Sequence, residues 1–414
     1  MKYTYFTRMA IPFIGIAFGF FIGCSTLSGN KTKTESDGSL SQKDLKKRLS
    51  KIEANISSNP DNAEAYYQKG DVLSKLAQRQ NPPAKRAPYY REMQNALAEA
   101  STIHQSSSQT QGEEKVDELL QVNWSFEHNQ GVKILQTDST LNNNDLNNAA
   151  DHFNNALIII PDSAVSYKMK ARALYKKHKI DQAIQTLNTA RNRIGDLSTS
   201  YIEQLAYLYL ESNQTQRAID LYEEAESFSS DNLNLLHGLA NAYITADQHK
   251  EATKLLGTLV ENKPENIIYL ESYGTELYSV GMQQLDSLQS FTIGDSLAIQ
   301  QTKSSADTLM NMAQNQLRKI LNQNPDKTEI KQQLADINKN YAAKLSQIKS
   351  LYSESKQQEI ENQIQNSLSS AVNLYEELVE QQPDKTEFWK HLYQAYSYLG
   401  MQEQANEAKA KANL

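Results

Sequence analysis

Few side chains in this 414-residue chain are of a type and spacing that could carry out a reaction. Its one thiol, Cys24, follows directly on an uncharged apolar stretch and is the single candidate for covalent modification through sulfur. Seven histidines are scattered without the spacing that holds a metal. Two of them, His128 and His152, fall on segments that read as helix, where histidine is far more often packed or solvated than ligating. There is no glycine-rich phosphate loop, no His-Glu-x-x-His and no Gly-x-Ser-x-Gly. The chain is therefore expected not to be an enzyme, with no catalytic residue, no metal and no cofactor. One charge pattern does stand out: Lys168, Arg172 and Lys176 follow i, i+4, i+8 and would form a cationic stripe able to grip a carboxylate, or a solvated charged face.

The elements that would position such residues are helices. Hydrophobic residues make up 39% and charged residues 22%, with a mean hydropathy of −0.65. That polarity suits thin stacked helices whose surface-to-core ratio stays high. Fifteen Gly and nine Pro are too few for many strands joined by turns. The formal charge of −7 argues against nucleic acid, which needs a basic face to displace counterions.

Lys2 and Arg8 form a basic start, and Met9 to Gly23 is uncharged and mainly apolar before Cys24 and a polar run. That is the order of a secretory signal. Fifteen helical residues reach about 22 Å, short of a hydrocarbon core of roughly 30 Å, so cleavage is expected over membrane spanning. Phe21-Ile22-Gly23-Cys24 resembles the bacterial lipobox; Ile22 and Gly23 fit it, and Phe21 departs from it, because an aliphatic residue is usual there. The resemblance implies that Cys24 is acylated (palmitate being one such chain), becomes the new N-terminus and anchors the protein to a membrane. Multiple acyl chains give stable anchoring where one does not. In the proteobacterial sorting pattern Asp after the Cys retains a lipoprotein in the inner membrane; Ser25 leans to the outer membrane, with the periplasmic or surface face left open. Ser25 to Ser41 is rich in Ser, Thr, Gly and Lys, and its 17 residues would form a tether reaching on the order of 20–25 Å.

Self-comparison then finds a repeat. Ala149-x3-Phe153-x2-Ala156-x4-Pro161 recurs as Ala183, Leu187, Ala190; Ala218, Tyr222, Ala225; Ala252, Leu256, Leu259, Pro264; Ala313, Leu317, Ile320, Pro325; and Ala371, Tyr375, Leu378, Pro383, with Ala405 opening a last copy. The regular steps are 34, 35 and 34 residues. The partner pattern precedes it in Trp389, Leu392, Tyr393, Tyr396; Ile202, Leu205, Ala206, Tyr209; and Leu236, Leu239, Ala240, Tyr243, with weaker copies at Tyr66, Gly70, Leu73, at Tyr167, Ala171, Leu174 and at Leu270, Tyr273, Gly274, Leu277. Small residues let two antiparallel helices approach while larger ones fill the gap at helical period. Pro60, Pro161, Pro264, Pro325 and Pro383 each precede Asp or Glu and mark helix junctions. These residues resemble the tetratricopeptide repeat. The resemblance implies an all-α solenoid, a right-handed superhelix of antiparallel helix pairs.

The expected organisation is a signal peptide over 1–23, a tether over 24–41, divergent helical repeats with loops over 42–145, a regular array over 146–266, repeats with extended hairpins over 267–382 and capping helices over 383–414. In the first repeats Pro82, Pro83 and Pro88 interrupt a hairpin, Ile103 to Gly112 reads as a mobile loop, and Val116 to Leu135 resumes an amphipathic helix. From Ala252 to Ala313 and from Ala313 to Ala371 the step grows to 61 and 58 residues. With no Gly or Pro from Asp326 to Gln382 and apolar residues at three-to-four spacing, the extra residues read as two lengthened hairpins, each helix gaining about three turns, the second turning near Ser353–Ser355. Packed together they would form a spur, either a docking or dimerising element or a structural elaboration.

In this family partner peptides lie in the groove lined by the first helices. Facing positions here would include Lys168, Arg172, Tyr175 and Lys176; Glu203 and Tyr207; His237 and Asn241; Glu271 and Tyr278. The family's two-carboxylate clamp needs Asn and Lys or Arg in the next repeats, which Gln204, Asn234 and Gly238 do not supply. A non-enzymatic scaffold or adaptor lipoprotein of the cell envelope, holding partner proteins, is the leading expectation. The alternative is a glycan-capturing outer-membrane lipoprotein of an uptake system, for which Trp124 and Trp389 are the only tryptophans. An envelope hydrolase or transferase would lack any motif.

Overall fold

The computed structural model describes residues 40–106, 110–137, 140–195, 198–226, 232–291 and 296–414. The expected signal, Cys24 and nearly all of the tether lie outside the described residues. Described residues up to Leu221 form one compact unit and those from Tyr222 another.

The first unit runs α1 (Gln42–Ser58), α2 (Ala63–Gln78), α3 (Ala87–Ser106), α4 (Thr110–Leu135), α5 (Asn143–Ile159), α6 (Ala164–Lys176), α7 (Ile180–Ile194), α8 (Thr199–Glu211) and the start of α9 (Thr215–Glu226). The second continues with α10 (Leu233–Thr245), α11 (His249–Asn262), α12 (Ile267–Ser287), α13 (Ser296–Gln323), α14 (Thr328–Ile348), α15 (Glu354–Gln381), α16 (Thr386–Leu399) and α17 (Gln402–Lys411). No strand occurs among the described residues.

The recurring alanines are what allow this stacking. Ala149, Ala183, Ala218, Ala252, Ala313, Ala371 and Ala405 are all buried, and so are Phe153, Leu187, Tyr222, Leu256, Leu317 and Tyr375 four positions on. Side chains at this spacing lie on one helix face, so each second helix presents a small residue where its neighbour approaches and a large one where a gap must be filled.

The prolines fall at junctions as expected, and three are followed by a side chain that caps the next helix. Asn62 accepts from the Ala65 amide at 3.1 Å, Ser163 from Ser166 at 3.3 Å and Asn266 from Ile268 at 3.0 Å. Between the helices of a pair, His178, Asn213 and Asp247 all take the left-handed conformation, with φ of 56° or 57°. In each case the next amide reaches back to close the helix: Lys179 to the Leu174 carbonyl at 3.0 Å, Gln214 to Tyr209 at 2.8 Å and Gln248 to Tyr243 at 2.9 Å. Gly400 does the same in the last pair, where the Met401 amide meets the Tyr396 carbonyl at 2.9 Å.

Both lengthened hairpins are present, but the gain is unequal. The regular first helices have 13 residues and α12 and α14 have 21; α7 and α11 have 15 and 14, against 28 in α13 and α15. First helices thus gain about two turns and second helices about four. Ser353 stands at the N-cap of α15, which begins six residues before its first buried side chain, Ile360. Those polar opening turns lean on the neighbouring second helix, with Lys356 donating to Gln300 at 3.0 Å.

Of the run Ile103–Gly112 expected as a mobile loop, the described residues are helical and residues 107–109 lie outside the described residues. α3 continues to Ser106 and α4 starts at Thr110. The reason is a close approach: a Cβ on Gly112 would lie 2.3 Å from the His104 ring. Pro82 and Pro83 do interrupt the hairpin, through a 3-10 turn over Pro83–Arg86.

Candidate functional site

The candidate face in the first unit is built by α6 and α8, neighbouring first helices whose side chains already engage one another. Lys168 Nζ donates to Ser200 Oγ at 2.9 Å, and Gln204 Nε2 donates to the Lys168 carbonyl at 3.2 Å. Tyr175 and Tyr207 share a hydrogen bond of 2.6 Å between hydroxyls, and their rings meet edge to face at 5.6 Å. Burial lowers the Lys168 ammonium below its usual range, partly countered by Glu203; burial likewise raises the Glu203 carboxyl, countered by Lys168. Each charge thus offsets part of the cost of burying the other. Arg172 is half-buried, its pKa lowered by desolvation, while Lys176 is exposed. Six of the expected residues, Lys168, Arg172, Tyr175, Lys176, Glu203 and Tyr207, therefore lie on two adjacent helices, with Lys168, Tyr175 and Tyr207 held by hydrogen bonds across the pair.

The second unit offers less free surface at the expected positions. Asn241 and Tyr278 are buried, at 8% exposure each. The His237 ring meets Tyr269 edge to face at 5.3 Å, and burial lowers its pKa. Glu271 accepts from Gln333 Nε2 at 3.1 Å, and Tyr278 accepts from Asn340 Nδ2 at 3.3 Å, which ties α12 to α14.

Several polar clusters escape a reading of the sequence. Glu127, with no exposed surface, accepts from Arg86 Nη1 at 2.9 Å and Tyr90 at 2.8 Å through one oxygen, and meets His152 Nδ1 at 2.6 Å and Asn155 Nδ2 at 3.3 Å through the other. The network joins α3, α4 and α5. A signal was available: Glu127 interrupts the apolar stripe that includes Val116 and Leu135 on α4. Its partners are 25 to 41 residues away and carry no local pattern.

One histidine–serine contact has hydrolase-like chemistry but not its access. His128 Nδ1 lies 3.0 Å from Ser166 Oγ, and burial lowers the His128 pKa to about 4, leaving a neutral imidazole. Ser166 has no exposed surface and also receives the Trp124 indole N–H at 3.0 Å, while Trp124 stacks on His128 at 5.0 Å. A nucleophile must reach a substrate carbonyl, and this hydroxyl faces only protein. Among the described residues no group of His, Cys, Asp and Glu could hold a metal ion, and no helix is long and apolar enough to cross a membrane.

With this geometry in view, the tetratricopeptide-repeat family profile matches residues 209–271. No curated protein matches the chain. Among solved structures, the C-terminal part of a tetratricopeptide repeat-containing protein from Cytophaga hutchinsonii is 13% identical, with a TM-score of 0.46, over 70% of this chain and 93% of that one. A tetratricopeptide repeat protein from Parabacteroides merdae is 16% identical, with a TM-score of 0.41, over 60% and 78%. YrrB, described as a tetratricopeptide protein with an unusual peptide-binding site, is 11% identical with a TM-score of 0.32 over 67% and 95%. The profile match, the paired helices and the buried alanines define an all-α solenoid of the tetratricopeptide type. Folds of this kind typically scaffold protein–protein interactions.

Proposed function

We propose that this chain is a non-enzymatic adaptor of the bacterial cell envelope that binds partner proteins along its first helices while a lipid on Cys24 holds it at a membrane. The observation that carries the binding reading is the α6–α8 face. There Lys168 is hydrogen-bonded to Ser200 and Tyr175 to Tyr207 across the helix pair, so docking a partner would freeze few additional rotamers. Tyrosine and arginine are among the side chains that most often dominate protein interfaces, and this face carries Tyr175, Tyr207 and Arg172. The membrane part rests on the sequence alone: a basic start, a short apolar run and the Phe21–Cys24 tetrapeptide.

Glycan capture has weaker support, because both tryptophans are engaged. Trp124 is stacked and hydrogen-bonded as above, and Trp389 donates to the Pro383 carbonyl at 2.8 Å with Lys411 over its ring. The experiment is affinity capture from crosslinked cells with wild-type and Lys168→Glu/Tyr207→Ala protein. Loss of a reproducible partner at unchanged protein level supports the adaptor reading; identical recovery contradicts it. For the anchor, Cys24→Ser should abolish palmitate labelling and release the protein from the membrane fraction, and labelling that persists would sink that claim.

A further inference from the structure

α1 stands before the first repeat and packs on α2. Its apolar residues recur at Leu45, Leu49, Ile52 and Ile56, and this face lies against Val72 and Leu76 of α2. On the opposite face Lys43, Lys47 and Lys51 follow i, i+4, i+8 and are all exposed, with the exposed Lys46 on the flank. Five cations against two acids give α1 a net charge of +3, in a chain whose net charge is −7. Both acids are engaged. Asp44 accepts from the Ser41 amide at 3.2 Å in the N-terminal cap, and Glu53 pairs with Lys69 of α2 at 3.1 Å.

A helix at the end of an array needs a polar outer face for solubility, and mixed charges serve that purpose. α17, at the other end of the chain, is mixed in this way: Glu403 and Glu407 balance Lys409 and Lys411. The single sign on the outer face of α1 goes beyond that need.

The place where the chain enters the fold indicates what meets this face. Leu40 packs with the apolar cluster of α1 and α2, and its carbonyl accepts from Arg79 Nη2 at 2.7 Å, which fixes the end of the tether beside the first turn of α1. The tether after Cys24 reaches on the order of 20–25 Å. A lipid on Cys24 would therefore hold α1 within a few Debye lengths, each about 8 Å, of the headgroups and at high effective concentration. Lysine ammoniums are point charges that need no fixed partner geometry, which suits a diffuse layer of phosphates; a folded acidic partner is better met by arginine forks. Between the lysines the outer face carries Ser50 and Ala54 and no large apolar side chain, so contact would be adsorption rather than insertion.

We propose that the Lys43–Lys47–Lys51 face of α1 docks on the anionic phosphate headgroups of the membrane and lays this end of the first unit on the lipid surface. The inference rests on the lipid anchor proposed above, to which it adds the basic patch that makes anchoring stable.

The test is vesicle sedimentation of the full chain carrying Cys24→Ser, which leaves docking without the anchor. Vesicles of phosphatidylcholine and phosphatidylglycerol in equal parts should bind about a hundredfold more tightly than phosphatidylcholine alone, or about fivefold for each of the three lysines. The preference should shrink as salt rises from about 0.05 M to about 0.5 M and the Debye length contracts. Insertion of the apolar run from Met9 to Gly23 would add to both compositions alike, so their ratio is the readout. Lys43→Gln, Lys47→Gln and Lys51→Gln together should lower affinity for the anionic vesicles about a hundredfold. The thermal midpoint should not move, because these side chains are exposed. Lys250→Gln, Lys254→Gln and Lys263→Gln, equally exposed and with the same loss of charge, should leave binding unchanged. The proposal is overturned by equal binding to the two compositions, by an unaffected α1 variant, or by an equal loss in the second variant. Release from the vesicles by polyglutamate at matched charge would also overturn it, in favour of an acidic protein partner. Palmitate labelling of the chain with native Cys24 reads the anchor separately: its absence sinks the anchor and leaves the vesicle result standing, whereas labelling without an anionic preference sinks the docking alone.

Discussion

His152 Nδ1 lies 2.6 Å from Oε2 of Glu127, a carboxylate with no exposed surface. Burial alone would raise the Glu127 pKa, but hydrogen bonds from His152, Arg86 and Tyr90 outweigh it and hold the carboxyl below its usual 4.5. Removing one partner of a buried charged network strands the others without compensation. Glu127→Ala should therefore cost about 3–5 kcal/mol of unfolding free energy in urea titrations. A loss below about 1 kcal/mol would show that the network contributes little.

The same carboxylate sets an acid limb. With a folded pKa below 4.5, its contribution is present above pH 4.5 and is lost as pH falls through the folded value. Thermal midpoints of wild type and Glu127→Gln should thus be well separated at pH 6 and converge towards pH 3. A constant separation would contradict the linkage.

His249 works in the opposite direction. Its hydrogen bond to Glu276, 2.6 Å long, raises its pKa above 6.5 against the effect of burial. A raised histidine contributes fully below pH 6.5 and loses that contribution as pH rises through the folded value. Wild type should lose midpoint between pH 6 and pH 9 relative to His249→Asn, read by circular dichroism. An unchanged difference would remove the pair from the account.

Gly238 offers a prediction of sign. Gly to Ala within a helix ordinarily stabilises by up to about 1 kcal/mol. Here an added Cβ would lie 2.4 Å from Cζ of Tyr222, a ring only 2% exposed. Gly238→Ala should instead destabilise by about 1–3 kcal/mol, the usual cost of overpacking. Calorimetry that found stabilisation would contradict the close packing of α9 on α10.

The left-handed turn residues predict the reverse. His178 is exposed with φ 56°, a conformation that penalises a residue bearing Cβ. His178→Gly should stabilise by about 0.5–1 kcal/mol after allowing for the greater freedom of glycine in the unfolded chain. Destabilisation in the same titration would count against the shared turn geometry.

How legible this was in the sequence depended on the range of the signal. Alanines at steps of 34 and 35 residues are a local pattern repeated many times, and every one is buried. The lengthened hairpins were readable because 61 and 58 exceed the repeat with apolar period intact. Their unequal division was not, because Ser353 starts α15 among polar residues that have no periodicity of their own. The polar run after Ile103 suggested a loop, yet His104 over Gly112 keeps both helices going. At the candidate site Lys168, Glu203, Tyr175 and Tyr207 come together because neighbouring first helices repeat the same register. Asn241 and Tyr278 are buried, since a helical wheel places a residue on a face without showing how closely the next helix covers it.

The central claim is that partners bind along the first helices, and site-specific photocrosslinking in intact cells tests it most directly. A photoreactive phenylalanine analogue placed singly at Tyr175, Lys176 and Tyr207 should crosslink to one defined partner protein, whereas the same analogue at Gln216 and Lys254 on second helices should not. Crosslinks confined to the second-helix positions, or none from α6 and α8 in cells where the protein is abundant, would contradict it.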